Sequence, residues 1–513
     1  MKIIKGGQDW SFEHIEETFN NIERIATEKF NLNPYPSQIE MITSEQMLDA
    51  YCSVGLPIFY PHWSFGKDFT AQSDAYRRGL MGLAYEIVIN SSPCVAYLME
   101  ENTMLMQALV MAHASFGHNH FFKNNYLFKQ WTDAESIIDY LIYAKKFIRD
   151  CEEKFGHSEV EEVLDSCHTM QHFGVDKYTH PPILSANEEI AKTKERDEYI
   201  QSQLNDLWRT VPVTKSKDDK TGNGAAHFPK EPQENIMYFI EKNAPNLPQW
   251  KREIIRIVRK IAQYFYPQAQ LQLMNEGAAC YYHYKIIHEM YDEDLLDDGA
   301  MLEFYESHTG VTRQLDHAQF NPYSLGWNMY KDIERVATNP TDEDRMWFED
   351  QEWVGCGDGN GTVLWAIENF KDESFIQQFL SPKIMRDFSM FDLLDDEEEP
   401  TFIVKATKNS QGYKRIREKL SLQYNYGYKL PDIQVTNVDL WGDRSMTLTH
   451  YMTNGRPLDI DDTTEVLKHI ARLWGYNVKL ESRNEKGEIC SVCEINEDET
   501  LIDIFLDDEE DDV

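Results

Sequence analysis

Two apolar segments of this chain read as helices yet carry ionisable side chains where a core helix has none. No other feature constrains the fold as much. The first is LMEENTMLMQALVMAHASFGHNHFFKNN, with Glu100, Glu101, His113, His118 and His120; the second is QLMNEGAACYYHYKIIHEMYDED, with Glu276, His283 and His288. Imidazole and carboxylate groups are costly to bury unless they are paired, hydrogen-bonded or bound to an ion. A chain that buries both segments is therefore expected to build a site from them.

Helix geometry limits how that site can form. On a regular helix His113 and His118 stand about 140° apart around the axis, too far to share an ion. Gly117 lies between them and lets the helix end or bulge, which would swing His118 back toward His113. His113 and His120 share a face but sit about 10.5 Å apart along it. Glu276 and His283, seven apart, repeat that spacing, and His283 and His288 are again five apart. Neither segment can surround one ion alone, so the two helices must cross. The expected ligands are His113, His118 and Glu276, with His283 as fourth ligand or proton shuttle, and Glu101 as an outer group or base. Two ions in a carboxylate-histidine bundle are the other arrangement. This donor set suits a divalent metal, zinc first, with iron or manganese as alternatives. His120 and His288 read as outer or surface groups, and Glu100 as helix-cap chemistry.

Most of the remaining chain is helical in pattern. WSFEHIEETFNNIERIATEKF opens it, AYEIVINSSPCVAY (84–97) suggests a strand or hairpin, and a charged helix over 185–209 precedes a polar loop at 211–230. After the acidic run DLLDDEEEP the pattern changes to βαββαβ. The sequence thus predicts a mainly α body over 1–395 with a few short strands, a small α+β ferredoxin-like domain over 400–485, and an acidic disordered tail over 494–513.

The net charge of −38 argues against nucleic acid as a partner, because phosphates would be repelled. No run of about 18 apolar residues exists to cross a membrane, and the opening MKIIKGGQDWSFEHIEE lacks a signal-peptide core, so a cytoplasmic protein is expected. Eight scattered cysteines fit reduced thiols, and the single Cys490/Cys493 pair lacks the companions of a zinc site. HExxH, GxSxG and P-loop signatures are missing, and the glycine-rich GCGDGNGT has no lysine to hold phosphate.

The stretches ITSEQMLDAYCSVGLPIFYPHWSFGKDF, GLAYEIVINSSPCVAYLMEENTMLMQALVMAHASFGHNHFFKNN, EPQENIMYFIEKNAP, MNEGAACYYHY and KDESFIQQFLSPKIMRDF closely resemble the stage V sporulation protein R (SpoVR) family, including its members in bacteria that form no spores. The resemblance runs from about residue 9 to residue 485. It implies a cytoplasmic protein connected with spore cortex formation or stress physiology and a serine protein kinase as partner. It leaves the reaction open. The chain departs from the family in having Ala278 where a Trp is usual and His120 where relatives carry another polar residue. NEGAACYYH is also similar to the EGWALY-type segment of some zinc peptidases. That likeness would make Glu276 a ligand beside His113 and His118, but Ala114 stands where the usual base would be, leaving Glu101 or His283 to activate water. The expectation is a metal-dependent hydrolase of an amide or peptide-like bond; the alternatives are a non-enzymatic scaffold working with a kinase and a di-metal oxidase.

Overall fold

The computed structural model describes residues 3–506 except 54–55, 57–58, 79–85, 180–227, 230, 316–317, 350, 391, 395–402, 406–409 and 454. The charged helix expected over 185–209, and the loop expected over 211–230 apart from Phe228 and Pro229, lie outside the described residues. The chain divides into two units. One comprises Met1–His168 and Gln249–Pro431; the other comprises Thr169–Pro248 and Asp432–Val513.

The first unit is the helical body. Helix α1 (Phe12–Glu28) starts at Ser11, whose hydroxyl accepts the His14 N–H, and buries Ile15, Ile22 and Ile25. Strand β1 (Ser37–Ile42) follows, then α2 (Trp63–Arg77), β2 (Glu86–Ile89) and β3 (Cys94–Met99). The strand or hairpin expected over 84–97 is therefore present: β2 pairs antiparallel with β3, and β1 joins β3 in parallel on its other side. Thr103 then caps α3 (Met104–Met111), accepting the Met106 N–H at 3.2 Å. The helix runs on through a π-helical stretch, Ala112–His118, into α4 (Asn119–Asn124). Farther along, α5 (His157–Thr169) lies in the same half of the chain.

Helix α6 (Gln272–Asp292) is the central helix of the body. Met274, Ala278, Tyr281, Tyr282, Ile286 and Ile287 on several of its sides are all buried, as a helix enclosed by neighbours requires. Its first N–H groups need partners, and the Asp372 carboxylate accepts from Leu273 and Met274 at 2.9 Å each. Two further helices pack nearby, α7 (Asp298–Thr312) and α8 (Pro322–Thr338). The approach to α8 is backbone on backbone: a Cβ on Gly277 would lie 2.5 Å from the Gly326 main chain. On another side a Cβ on Gly117 would lie 2.6 Å from Ala279 Cα. Glycine at these positions lets α6 sit between the π-helical stretch and α8.

The second unit is α+β. Strands β4 (Asp432–Val438) and β5 (Met446–Tyr451) are antiparallel; α9 (Ile460–Trp474) crosses over to β6 (Val478–Arg483), which runs parallel to β5. Strands β7 (Ile489–Ile495) and β8 (Leu501–Leu506) add antiparallel neighbours, giving the order β8-β7-β6-β5-β4. A mainly helical body followed by a small α+β domain is the architecture that the sequence predicts, with two differences in detail. The first β and α of the expected βαββαβ run belong to the helical body. Ile403–Lys405 pairs with Asp392–Leu394 in a two-stranded ribbon, and the helix Ser410–Tyr424 buries Ile416 and Leu420 in the body's core. The boundary accordingly falls at Pro431 rather than near 400. The expected tail over 494–513 also contributes structure, since Leu501–Leu506 is the edge strand β8.

Candidate metal centre

The π-helical stretch brings His113 and His118 together. Asn119 N–H bonds Ala114 O, five residues back, and this i→i+5 bonding stacks residues five apart where an α-helix would splay them. The two rings meet edge to face with centroids 4.5 Å apart. Gly117 does what the sequence suggested, and it also supplies the contact with Ala279 on α6.

Four donor atoms converge there. His113 Nε2 is 3.5 Å from Glu86 Oε1 and 3.9 Å from Glu276 Oε2, and His118 Nε2 is 3.6 Å from Glu276 Oε2. These spacings are too long for hydrogen bonds and lie near the ~3.3 Å edge of a tetrahedron with ~2.0 Å metal–ligand bonds. Glu276 Oε2 is buried and has no hydrogen-bond partner. A cation among the four atoms would satisfy it, so the residues fit a divalent metal. Glu86, His113 and His118 form one of two donor trios in the described residues; His113, Cys280 and His283 form the other. In the second trio His113 Nδ1 and His283 Nδ1 are 2.8 Å apart, the length of a hydrogen bond and shorter than a coordination edge. No contact that short closes the first trio, where His113 Nε2 and Glu86 Oε1 are 3.5 Å apart.

The far sides of the imidazoles are held as ligand histidines require. His118 Nδ1 donates to Asn275 Oδ1 at 2.9 Å. His113 Nδ1 donates to His283 Nδ1, and His283 Nε2 in turn donates to His308 Nδ1 at 2.8 Å. Three imidazoles thus form a chain with one proton per link, each leaving the next nitrogen free to accept. Tyr323, in the first turn of α8, lies near Glu276 and favours its ionised form.

Burial sets the charges. It pushes His113 down to about 4, assisted by its neighbour His118, and pushes His308 to about 4. His283 is driven well below its ordinary value by burial and by the flanking His113 and His308. All three are neutral and ready to donate or ligate. Burial and the adjacent Glu276 raise the Glu86 carboxyl to about 8. Burial opposes ionisation of Glu276, but His118, His113 and Tyr323 together hold it below the usual carboxylate range. One carboxylate is thus charged and its neighbour is poised near neutrality. The imidazoles are nearly closed off, with 6% and 9% side-chain exposure, while Glu86 and Glu276 retain 20% and 19%. The carboxylate side is the open side.

The other candidates fall elsewhere. Glu101 is exposed and accepts the Ser44 N–H at 3.2 Å, so the position expected for it is filled by Glu86 from β2. His283 stands behind His113 instead of completing the donor set. His120 is buried but accepts from Asn33 N–H at 2.9 Å, and His288 bonds Tyr284 O and Tyr305. Glu100 is exposed, and its carbonyl accepts from Trp10. Sequence reasoning did not find Glu86, Asn275, His308 or Tyr323. The available signal for Glu86 was an acid opening the apolar run EIVI, and for Asn275 its place beside Glu276.

The fold and site define a helical protein with a buried histidine–carboxylate centre and an appended α+β domain. The family model described as SpoVR like protein matches residues 9–429, and that of the SpoVR-like C-terminal domain matches 431–485, so the chain belongs to the SpoVR family. The two matches meet where the two structural units divide. The chain is also 54% identical over 491 residues to the uncharacterized protein YcgB of Escherichia coli (strain K12), covering 95% of each. No solved structure matches.

Proposed function

We propose that the protein is a metal-dependent hydrolase of an amide or peptide-like bond, with His113, His118 and Glu276 as ligands and Glu86 as general base. The observation that carries this reading is geometric: the Glu86 carboxyl stands 3.5 Å from His113 Nε2 on the open side of the cluster, beside the unpartnered Glu276 Oε2. Two histidines and a glutamate are the ligand set of a catalytic zinc site. The bound ion would lower the pKa of its water toward about 7 and polarise a carbonyl. Glu86 would accept the water's proton and return it to the leaving amine. Asn275 and His283 keep Nε2 of each ligand histidine directed at the ion, and Tyr323 favours the ionised form of Glu276.

The kinase-scaffold reading makes no use of a buried donor cluster, so metal content separates the two. The di-metal oxidase needs a second set, and its nearest candidate is closed by the His113–His283 hydrogen bond. The test is turnover of a mixed peptide library followed by mass spectrometry. Glu86→Gln should retain the ion and lose about 10²-fold or more in rate. Wild-type turnover by that variant would remove Glu86 from the mechanism.

A further inference from the structure

A second polar cluster lies around the start of α2, built from residues that the metal centre does not use. His62 caps this helix. Its Nδ1 accepts the Ser64 hydroxyl at 2.7 Å and faces the Ser64 N–H at 3.4 Å. Its Nε2 lies 3.0 Å from Asp165 Oδ1, on α5. Because both groups facing Nδ1 are donors, Nδ1 carries the lone pair and Nε2 carries the proton given to Asp165. Trp63 Nε1 donates to the same carboxylate oxygen at 2.8 Å and fixes it. His62 is 8% exposed, whereas Ser64 is half-buried, so the base is sheltered while the hydroxyl remains within reach. Capping alone accounts for the backbone contact. It does not account for the shorter hydroxyl contact, or for a carboxylate on the opposite nitrogen.

We propose that Ser64, His62 and Asp165 form a serine nucleophile, its base and the base's orienting acid, which together act on a carboxylic ester. Nucleophile, base and acid in hydrogen-bonded series are recognised by geometry and not by sequence order, so the lack of a GxSxG motif does not count against them. Here the imidazole presents Nδ1 to the serine and Nε2 to the aspartate. Ser64 Oγ forms a bond to the ester carbonyl carbon while its proton passes to His62 Nδ1. The carbon–oxygen bond to the alkoxy group then breaks, and His62 returns the proton to the leaving alcohol. Water hydrolyses the acyl-serine by the same proton path, releasing the carboxylic acid and restoring Ser64. The side of the first turn at Gly66 is open, since a Cβ there would meet nothing within 4 Å. Trp63, 53% exposed, and Phe65, whose ring lies 5.6 Å from that of His62, suit an apolar acyl group.

The test uses a fluorophosphonate probe on the full-length protein, which forms a phosphorus–oxygen bond to an activated serine and expels fluoride. Peptide mass spectrometry should place the label on Ser64, in the presence of a chelator as well as without, so the result is independent of the metal reading. Ser64→Ala should abolish labelling. Asp165→Asn and His62→Asn, the latter retaining a good helix cap, should slow it by about tenfold or more. Folded wild-type protein that leaves Ser64 unlabelled overturns the proposal, as does undiminished labelling of folded His62→Asn.

Discussion

The two histidine clusters of the helical body contain similar residues and differ in spacing. Around His62 the polar groups sit at hydrogen-bond distance, 2.7 Å to Ser64 and 3.0 Å to Asp165, with Tyr60 and His168 paired beside them at 2.6 Å. Between the Nε2 atoms of His113 and His118 and the carboxylates that face them the spacings are 3.5 to 3.9 Å, and Glu276 Oε2 has no hydrogen-bond partner. The first cluster is joined by hydrogen bonds as it stands and has no space for an ion between its facing atoms. The second leaves a gap the width of a coordinated ion.

The predictions probe that contrast. The largest effect should come from His113→Ala, which removes the atom shared by the Glu86 and Glu276 contacts and should abolish stoichiometric metal binding, whereas His62→Asn should leave it unchanged. Equal metal loss in both variants, measured by elemental analysis, would erase the distinction. His283→Ala leaves the four converging donor atoms in place and removes the partner of His113 Nδ1. It should weaken metal affinity by about 10–100-fold in a competition titration with a chromophoric chelator. Gly277→Ala pushes α6 and α8 apart and should destabilise the fold by about 1–3 kcal/mol in urea unfolding. The same substitution at Gly66, where there is open space, should lack that steric penalty.

A further effect is one of pH. Burial, with the neighbouring His62, pushes His168 down to about 4. Between about 6.5 and 4 the unfolded chain takes up a proton that the folded chain refuses. The stability tied to neutral His168 is therefore present above about 6.5 and is lost as pH falls toward 4, by up to ~1.4 kcal/mol per pH unit. His168→Gln should flatten that part of the profile. An unchanged profile in urea midpoints across this range would show that His168 is protonated in the fold.

Much of the histidine–carboxylate cluster was legible in the sequence, and the reasons for the rest are specific. His113, His118 and Glu276 could be grouped because helical spacing and Gly117 fix where their side chains can point. Glu86 escaped because it lies in a strand, where period-two alternation makes an acid look like a surface residue. Periodicity also gives the face that a histidine occupies but not what each ring nitrogen meets, so it left His283 as fourth ligand or proton shuttle without showing its hydrogen bond to His113. The same limit shaped the domain boundary. Ile403–Lys405 and Ser410–Tyr424 have the local structure that their pattern predicts, but what they pack against is a tertiary fact. In the C-terminal segment the acidic composition outweighed LIDIFL, whose β-branched and aromatic residues form β8.

The central claim is that the gap among Glu86, His113, His118 and Glu276 is a metal site. Its most direct test is zinc titration of chelator-treated protein by calorimetry. The account predicts about one tight site per chain, lost in folded His118→Ala and Glu276→Ala. Wild-type protein that binds no more zinc than these variants would contradict it.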